Sequence, residues 1–287
     1  MAQYNKQTEE YVDRNNNLFD VVLVSDEAGI INDENPLPVK QSGDWIIQTQ
    51  QALQGKLWTT QVAQGTVPGH SFQQITGYNP TTSAGDGVWA GGSAYPWSSF
   101  ITAQTLYVKS STNNATDRGS LITIVGLDSN YEMLSETVTM NATNSTTAVA
   151  TTNQFLRLFY MFVDDGVDTN VGDIIATVTS GSGTIVNKMV AGRGIAYTGT
   201  YTIPAGKTGY LYKGDASSTA ATVVDFCIRY YGKVFLVVHT AIVDNSTYVY
   251  DFPFPPTMPE KSDMYCKVNV GSGKTAINFE IMLVDNP

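Results

Sequence analysis

From about Leu106 onward, strand-length apolar runs alternate with short breaks of Gly, Asn and Ser. Leu121-Ile-Thr-Ile-Val125 gives way to Gly126-Leu-Asp-Ser-Asn130, and Tyr197-Thr-Gly-Thr-Tyr-Thr-Ile203 to Pro204-Ala-Gly-Lys207. Apolar and polar positions alternate in Ser135-Glu-Thr-Val-Thr-Met140, the period of a strand with one dry and one wet face. Phe155-Leu-Arg-Leu-Phe-Tyr-Met-Phe-Val163 is too continuous for such a strand. It predicts either cover on both faces or partial burial between subunits. Strands recurring every roughly 8–12 residues are the rhythm of a β-sandwich. The expected fold is all-β: two tandem β-sandwich, jelly-roll-like domains preceded by an extended N-terminal arm.

The expected boundaries are 1–45 for the arm, 46–191 for the first sandwich and 192–287 for the second. In the arm, Val21-Val-Leu-Val24 reads as a short strand, and prolines hold Asn35-Pro-Leu-Pro-Val39 extended. Segments of this kind add themselves to a neighbouring sheet edge, or serve as an ordinary first strand. Gly43 to Ser99 reads as irregular, with Trp45, Trp58, Trp89 and Trp97 set among glycines. Such a stretch predicts an aromatic plug at the end of a sandwich, with a functional loop as the alternative. Gly181-Ser-Gly183 predicts a hairpin turn, and Gly192-Arg-Gly194 the junction into a second sandwich whose first strand is Ile195 to Ile203.

Composition narrows the function. Charged residues make up 15% of the chain, against about 25% in an average soluble domain. That suits sheets with polar but non-ionic faces, and a surface partly hidden in an assembly. A formal charge of −10 without a basic run argues against nucleic acid. No apolar run approaches the ~18 residues of a membrane span, and the N-terminal residues do not read as a signal peptide, so synthesis in a cytoplasm is expected. Cys227 and Cys266 read as buried free thiols, and the Asn-X-Ser/Thr triplets at Asn114, Asn141, Asn144 and Asn245 as turn residues.

Candidate chemistry is sparse. Gly271-Ser-Gly-Lys-Thr275 ends like a phosphate loop, but Val268 stands where that motif needs Gly, and a strand follows instead of a helix. A hairpin turn is expected there. His70 and His239 lack a nucleophile-elbow partner, and the histidines and cysteines lack zinc spacing. Asp164, Asp165, Asp168 and Asp173 crowd one loop, where turn formation competes with calcium binding. Trp89, Tyr95 and Trp97, like Tyr248 and Tyr250, are aromatic groups able to stack on sugars, although burial is the commoner fate. No cofactor, metal or catalytic residue is expected. The candidate partner contacts are Val21, Leu23, Pro36, Leu37 and Pro38 in the arm, with Trp89, Tyr95 and Trp97.

A further set of residues carries a family resemblance: Val88-Trp89 with Tyr95-Pro96, Leu106-Tyr-Val-Lys-Ser-Ser111, Ile124-Val-Gly-Leu-Asp-Ser-Asn-Tyr131 and Ser135-Glu-Thr-Val138. It continues through Thr147-Thr-Ala-Val-Ala-Thr-Thr152, Phe155-Leu-Arg157, Asn170-Val-Gly-Asp-Ile174, Tyr201-Thr-Ile-Pro-Ala-Gly-Lys-Thr208 and Ile281-Met-Leu-Val-Asp-Asn286. In these the chain resembles virion structural proteins of tailed bacteriophages, especially aquatic phages, most closely from Trp89 to Tyr212. The resemblance implies a particle component without catalysis, found in the virion and assembled in a host bacterial cytoplasm. The leading expectation is a capsid decoration or cement protein, a small symmetric homo-oligomer bound to the major capsid protein or other virion proteins. The alternative is a tail, knob or fibre-associated protein for host-surface attachment.

Overall fold

The computed structural model describes residues 8–12, 18–22, 58–164 and 169–287. The chain divides into two units, Met1–Trp58 and Thr59–Pro287. In the first, β1 (Thr8–Val12) pairs antiparallel with β2 (Leu18–Val22), Thr8 opposite Val22 and Val12 opposite Leu18. The arm expected from the sequence is thus paired with itself here, and Val21 lies opposite Glu9.

A short helix, α1 (Trp58–Ala63), precedes β3 (His70–Thr82). Then come β4 (Gln104–Ser110), β5 (Leu121–Leu127), β6 (Met133–Thr139), β7 (Val149–Phe155), β8 (Arg157–Val163), β9 (Ile174–Thr177), β10 (Ile185–Met189) and β11 (Ile195–Tyr197). The remainder is β12 (Thr200–Thr202), β13 (Lys207–Ser218), β14 (Thr222–Arg229), β15 (Leu236–Val243), β16 (Ser246–Asp251), β17 (Thr257–Met258), β18 (Asp263–Gly271) and β19 (Gly273–Asp285). The fold is all-β, and its strand pairs are antiparallel. Sheets β10-β9-β4-β7 and β11-β8-β5-β6 enclose one core, built on Leu106, Ile122, Ile124, Phe155 and Met161. Sheets β12-β18-β14-β15 and β16-β13-β19-β3 enclose another, built on Tyr201, Phe226, Phe279 and Ile281, with β17 added beside β13.

The continuous apolar run of β8 is explained by its position between the two cores. Leu158 and Met161 enter the first, while Phe159 enters the second together with Leu127 and stacks at 4.5 Å on Tyr201. Burial of both faces leaves no wet positions to alternate.

Three elements depart from the sequence expectation. The irregular stretch placed in the first sandwich contains the 13-residue β3, which pairs along β19 in the second sandwich. Its inward positions after Ile75 are Gly77 and Asn79, so the alternation that marks a strand is missing. Both are needed: a Cβ on Gly77 would lie 2.1 Å from the Val88 carbonyl oxygen, and the Asn79 amide donates to the Gly87 carbonyl at 3.2 Å. Next, the expected single strand from Ile195 to Ile203 is two strands in different sandwiches. β11 pairs with β8 and β12 with β18. The passage between sandwiches therefore falls at Gly199 (φ 65°), not at Gly192–Gly194. Thr198 fixes it by donating its hydroxyl to the Phe159 carbonyl at 3.0 Å. Finally, Gly271-Ser-Gly273 joins β18 to β19, which belong to opposite sheets, so it crosses the sandwich instead of closing a hairpin. Gly271 and Gly273 take φ of 136° and 94°, angles that glycine adopts without steric cost.

Candidate functional site

The loop from Val88 to Phe100 carries the aromatic residues that the sequence offered as partner contacts. Trp89 is 1% exposed and Tyr95 5%, and both belong to the first core. The Trp89 indole donates to the Ser93 carbonyl at 2.7 Å, and Tyr95 sits edge-on to it at 5.5 Å. Gly91 is demanded by this packing, because a Cβ there would lie 2.0 Å from the indole ring. Trp89 and Tyr95 are therefore a plug, and neither is presented to a partner. This corrects their assignment as contact residues. Apolar surface of this size is more stabilising in a core than left in water.

Trp97 is half-buried and sits at the meeting of the two sandwiches. The guanidinium of Arg157 lies 5.6 Å from its ring centre and that of Arg229 lies 4.9 Å away, with Phe235 at 5.2 Å and Tyr265 at 5.8 Å. Both arginines converge on Asp263, at the start of β18. Arg157, from β8, donates Nε to Asp263 Oδ1 at 2.9 Å and a second N–H to Oδ2 at 3.3 Å. Its remaining donors reach the carbonyls of Phe100 (2.9 Å) and Leu156 (2.8 Å). Arg229, from β14, donates Nε to Asp263 Oδ2 at 2.9 Å, and the Thr202 hydroxyl donates to Oδ1 at 2.6 Å. One buried carboxylate thus binds side chains from both sandwiches. Burial pulls the Arg157 pKa down, but the bonds and charge of Asp263 outweigh that and leave it raised. Charges out of water persist only when paired and hydrogen-bonded in this way. Sequence reading met Arg157 only within an apolar run and a resemblance, and met Asp263 and Arg229 only as strand residues without a role.

No family model matches this sequence, and no curated protein does. A crystal structure of the infectious bursal disease virus VP2 subviral particle aligns over 80% of this chain and 83% of its own, at 10% identity and a TM-score of 0.16. That likeness is too slight to inform fold or function.

The other sequence candidates are dispersed. Leu23, Pro36, Leu37, Pro38, Asp165 and Asp168 lie outside the described residues. Asp164 accepts from the Thr123 hydroxyl at 2.8 Å, and Asp173 pairs with Lys188 at 2.9 Å, so these two serve separate partners. Among the described residues no three His, Cys, Asp or Glu side chains gather as a metal site. Cys227 and Cys266 are free and buried on the paired strands β14 and β18, and burial raises both thiol pKa values, that of Cys227 to about 11.

At the open side of the second sandwich, β15 and β16 are the edge strands of its two sheets. His239 of β15 stacks on Tyr250 at 4.4 Å and on Tyr248 at 5.6 Å, with Phe252 edge-on at 5.5 Å. Its Nε2 is shielded from solvent and has no hydrogen-bond partner among the described residues. Burial lowers its pKa, so the folded protein favours neutral imidazole. The folded state then binds fewer protons than the unfolded chain. The contribution of His239 is fully present above the unfolded pKa of about 6.5 and is lost as pH falls from there through the lower folded value. Urea unfolding midpoints are expected to decline over that window in the native protein, and His239→Phe to remove that part of the decline.

Proposed function

We propose that this chain is a non-enzymatic virion structural protein that works by contact area, with a capsid decoration or cement role on the capsid lattice as the specific assignment. The observation that carries the reading is the free edge of β15. An edge strand exposes unpaired N–H and C=O groups, and proteins ordinarily blunt such edges with charge, proline, bulges or brevity. Blunting is visible elsewhere in this fold. Glu136 accepts from the Thr152 and Asn153 backbone N–H groups of β7 at 2.6 and 2.8 Å. β10 carries a register irregularity and Lys188, β3 carries Pro80, and β11 and β12 are three residues each. β15 is eight residues, Leu236-Val-Val-His-Thr-Ala-Ile-Val243, without one formal charge at neutral pH, and its blunting is a register irregularity at Val238 like that of β10.

Exposed apolar side chains stand toward both ends of this strand, on either side of Thr240, whose hydroxyl donates to Asp225 at 2.9 Å. Ile242 is 74% exposed and continues outward across Val223 to Val270, while Leu236 and Val237 are half exposed beside Val234. The occupant that fits is the β15 of a second copy, paired antiparallel about a twofold axis. Such a pairing is self-complementary and sets no like charges within the strand against one another. The anionic remainder of the chain, at −10, leaves this uncharged strip as a favoured place for two copies to meet.

Light scattering on the purified protein is expected to give a dimer or a multiple of it. Val237→Lys with Ile242→Lys should weaken self-association at least about tenfold, roughly 1.4 kcal/mol, without lowering the melting temperature of the monomer. A monomeric native protein, or a double variant that still dimerises, overturns the edge assignment. Placement on the particle is read from stoichiometry in purified virions. A copy number in proportion to the major capsid protein supports decoration, and one in proportion to tail components supports the host-attachment alternative.

A further inference from the structure

Between β16 and β17 the chain bulges out of its sheet. Both strands pair with β13, Asp251 opposite Lys213 and Thr257 opposite Tyr210. Phe252-Pro-Phe-Pro-Pro256 therefore spans a gap that β13 crosses with Leu211 and Tyr212 alone. Both ends of the loop are clamped. The Phe252 N–H donates to the Tyr212 carbonyl at 3.0 Å, and the Leu211 N–H to the Pro256 carbonyl at 3.1 Å. Phe252 packs against the second core, but Phe254 at the centre is 92% exposed, more than any other large apolar side chain among the described residues. Prolines on both sides fix φ, so the ring stands on a stiff loop and loses little freedom on docking. Asp251, exposed at the base of the loop, has no cationic partner among the described residues.

Elsewhere on the molecule is a cleft that matches this knob. It lies between the β10–β11 end of the first sandwich and the outward face of the β16-β13-β19-β3 sheet, and holds about 470 Å³. Its reachable walls are mainly apolar, with Val190, Ile195 and Tyr197 foremost. On its floor the Asn278 amide nitrogen is taken by Asp215 at 3.1 Å, and Asn278 Oδ1 is shielded, so neither serves an incoming group. Arg193 stands exposed at the cleft with its guanidinium over the Tyr78 ring at 4.4 Å. It has no carboxylate partner among the described residues.

Knob and cleft are complementary twice over: an aromatic ring for apolar walls, and an unpaired Asp251 for an unpaired Arg193. The positive edge of a ring also tolerates the Asp215 carboxylate better than a second anion would. Phe254 is too exposed to occupy the cleft of its own molecule. We infer that Phe254 of one copy inserts into the cleft of a second copy, with Asp251 meeting Arg193 across the seam. The contact joins two different patches, so it repeats head to tail. It is separate from β15 pairing, and the two together link dimers into an extended array suited to covering a repeating shell.

One ring and one exposed ion pair make a weak contact, with a dissociation constant of about 1 mM. At about 20 μM it is nearly empty and does not mask β15 pairing. Sedimentation velocity at low salt, from about 20 μM to 2 mM, reads the step as a rise in average sedimentation coefficient at the upper end. Phe254→Ser should abolish the rise, and Ile101→Ser, at another exposed apolar residue, should leave it. Arg193→Glu should weaken the association at least about fivefold, and adding Asp251→Arg should restore it to within about twofold. All these side chains are exposed, so melting temperatures should match the native protein. Val237→Lys with Ile242→Lys keeps both knob and cleft, so the rise should persist from a smaller starting species. Failure of the β15 assignment thus leaves this contact standing. No rise up to 2 mM, a rise that survives Phe254→Ser, one lost equally in Ile101→Ser, or a charge reversal that restores nothing overturns the inference.

Discussion

Asp263→Ala is expected to be among the most damaging single substitutions in this chain, lowering the unfolding free energy by about 3–5 kcal/mol. The carboxylate is almost fully buried and serves Arg157, Arg229 and the Thr202 hydroxyl together. Its removal leaves the buried Arg157 guanidinium with only two carbonyl acceptors and no counter-charge. Equilibrium urea unfolding measures the loss directly. For a folded unit of this size, about 2–4 °C of melting temperature is expected per kcal/mol. Because the Arg157–Asp263 pair is shielded from solvent, added salt should change the difference little. Replacing Arg157, Arg229 and Asp263 together by Met, Leu and Leu should cost much less than Asp263→Ala, since no charge is then stranded. A near-zero effect of Asp263→Ala would show that the sandwiches are held by their shared apolar contacts alone.

The same junction shows what was legible beforehand and why. Strands such as β5, β6, β13 and β19 announce themselves because their apolar residues recur within a few positions, a local signal. The all-β class follows from that signal alone. β3 does not announce itself, because Gly77 and Asn79 are chosen for contacts with Val88 and Gly87, which arrive from a separate loop. The break at Gly199 was hidden for a related reason. Its flanks on both sides read as strand, and only the pairing partners, β8 on one side and β18 on the other, reveal two strands. The candidate sites divide similarly. Trp89, Tyr95 and Trp97 were conspicuous as large aromatics, but residue type does not say which way a ring faces. Arg157, Arg229 and Asp263 are ordinary in sequence and become a unit only because three strands converge. The contact of Asn278 with Asp215 is less visible still, since the two are 63 residues apart and meet through register.

Trp89→Ala is the second substitution with a large expected effect, about 3–5 kcal/mol, the range for truncating a buried Trp or Phe. The cost has two separable parts. The ring fills the space between Tyr95 and the first core, and its N–H donates to the Ser93 carbonyl, which also accepts from the Gly87 N–H. Trp89→Phe keeps part of the volume and loses the donor, so it should fall between the native protein and Trp89→Ala. Gly91 supplies the decisive control. Gly91→Ala places a methyl 2.0 Å from the indole ring, and overpacking of that kind costs roughly 1–3 kcal/mol. With the indole already truncated to Ala, the three atoms nearest the added methyl are gone and its penalty should largely vanish. The double-mutant cycle from urea unfolding should therefore show a coupling of at least about 1 kcal/mol, outside the ~0.3–0.5 kcal/mol scatter of independent sites. Additive penalties would mean that Gly91 answers to its backbone alone and that the indole is not packed against this turn.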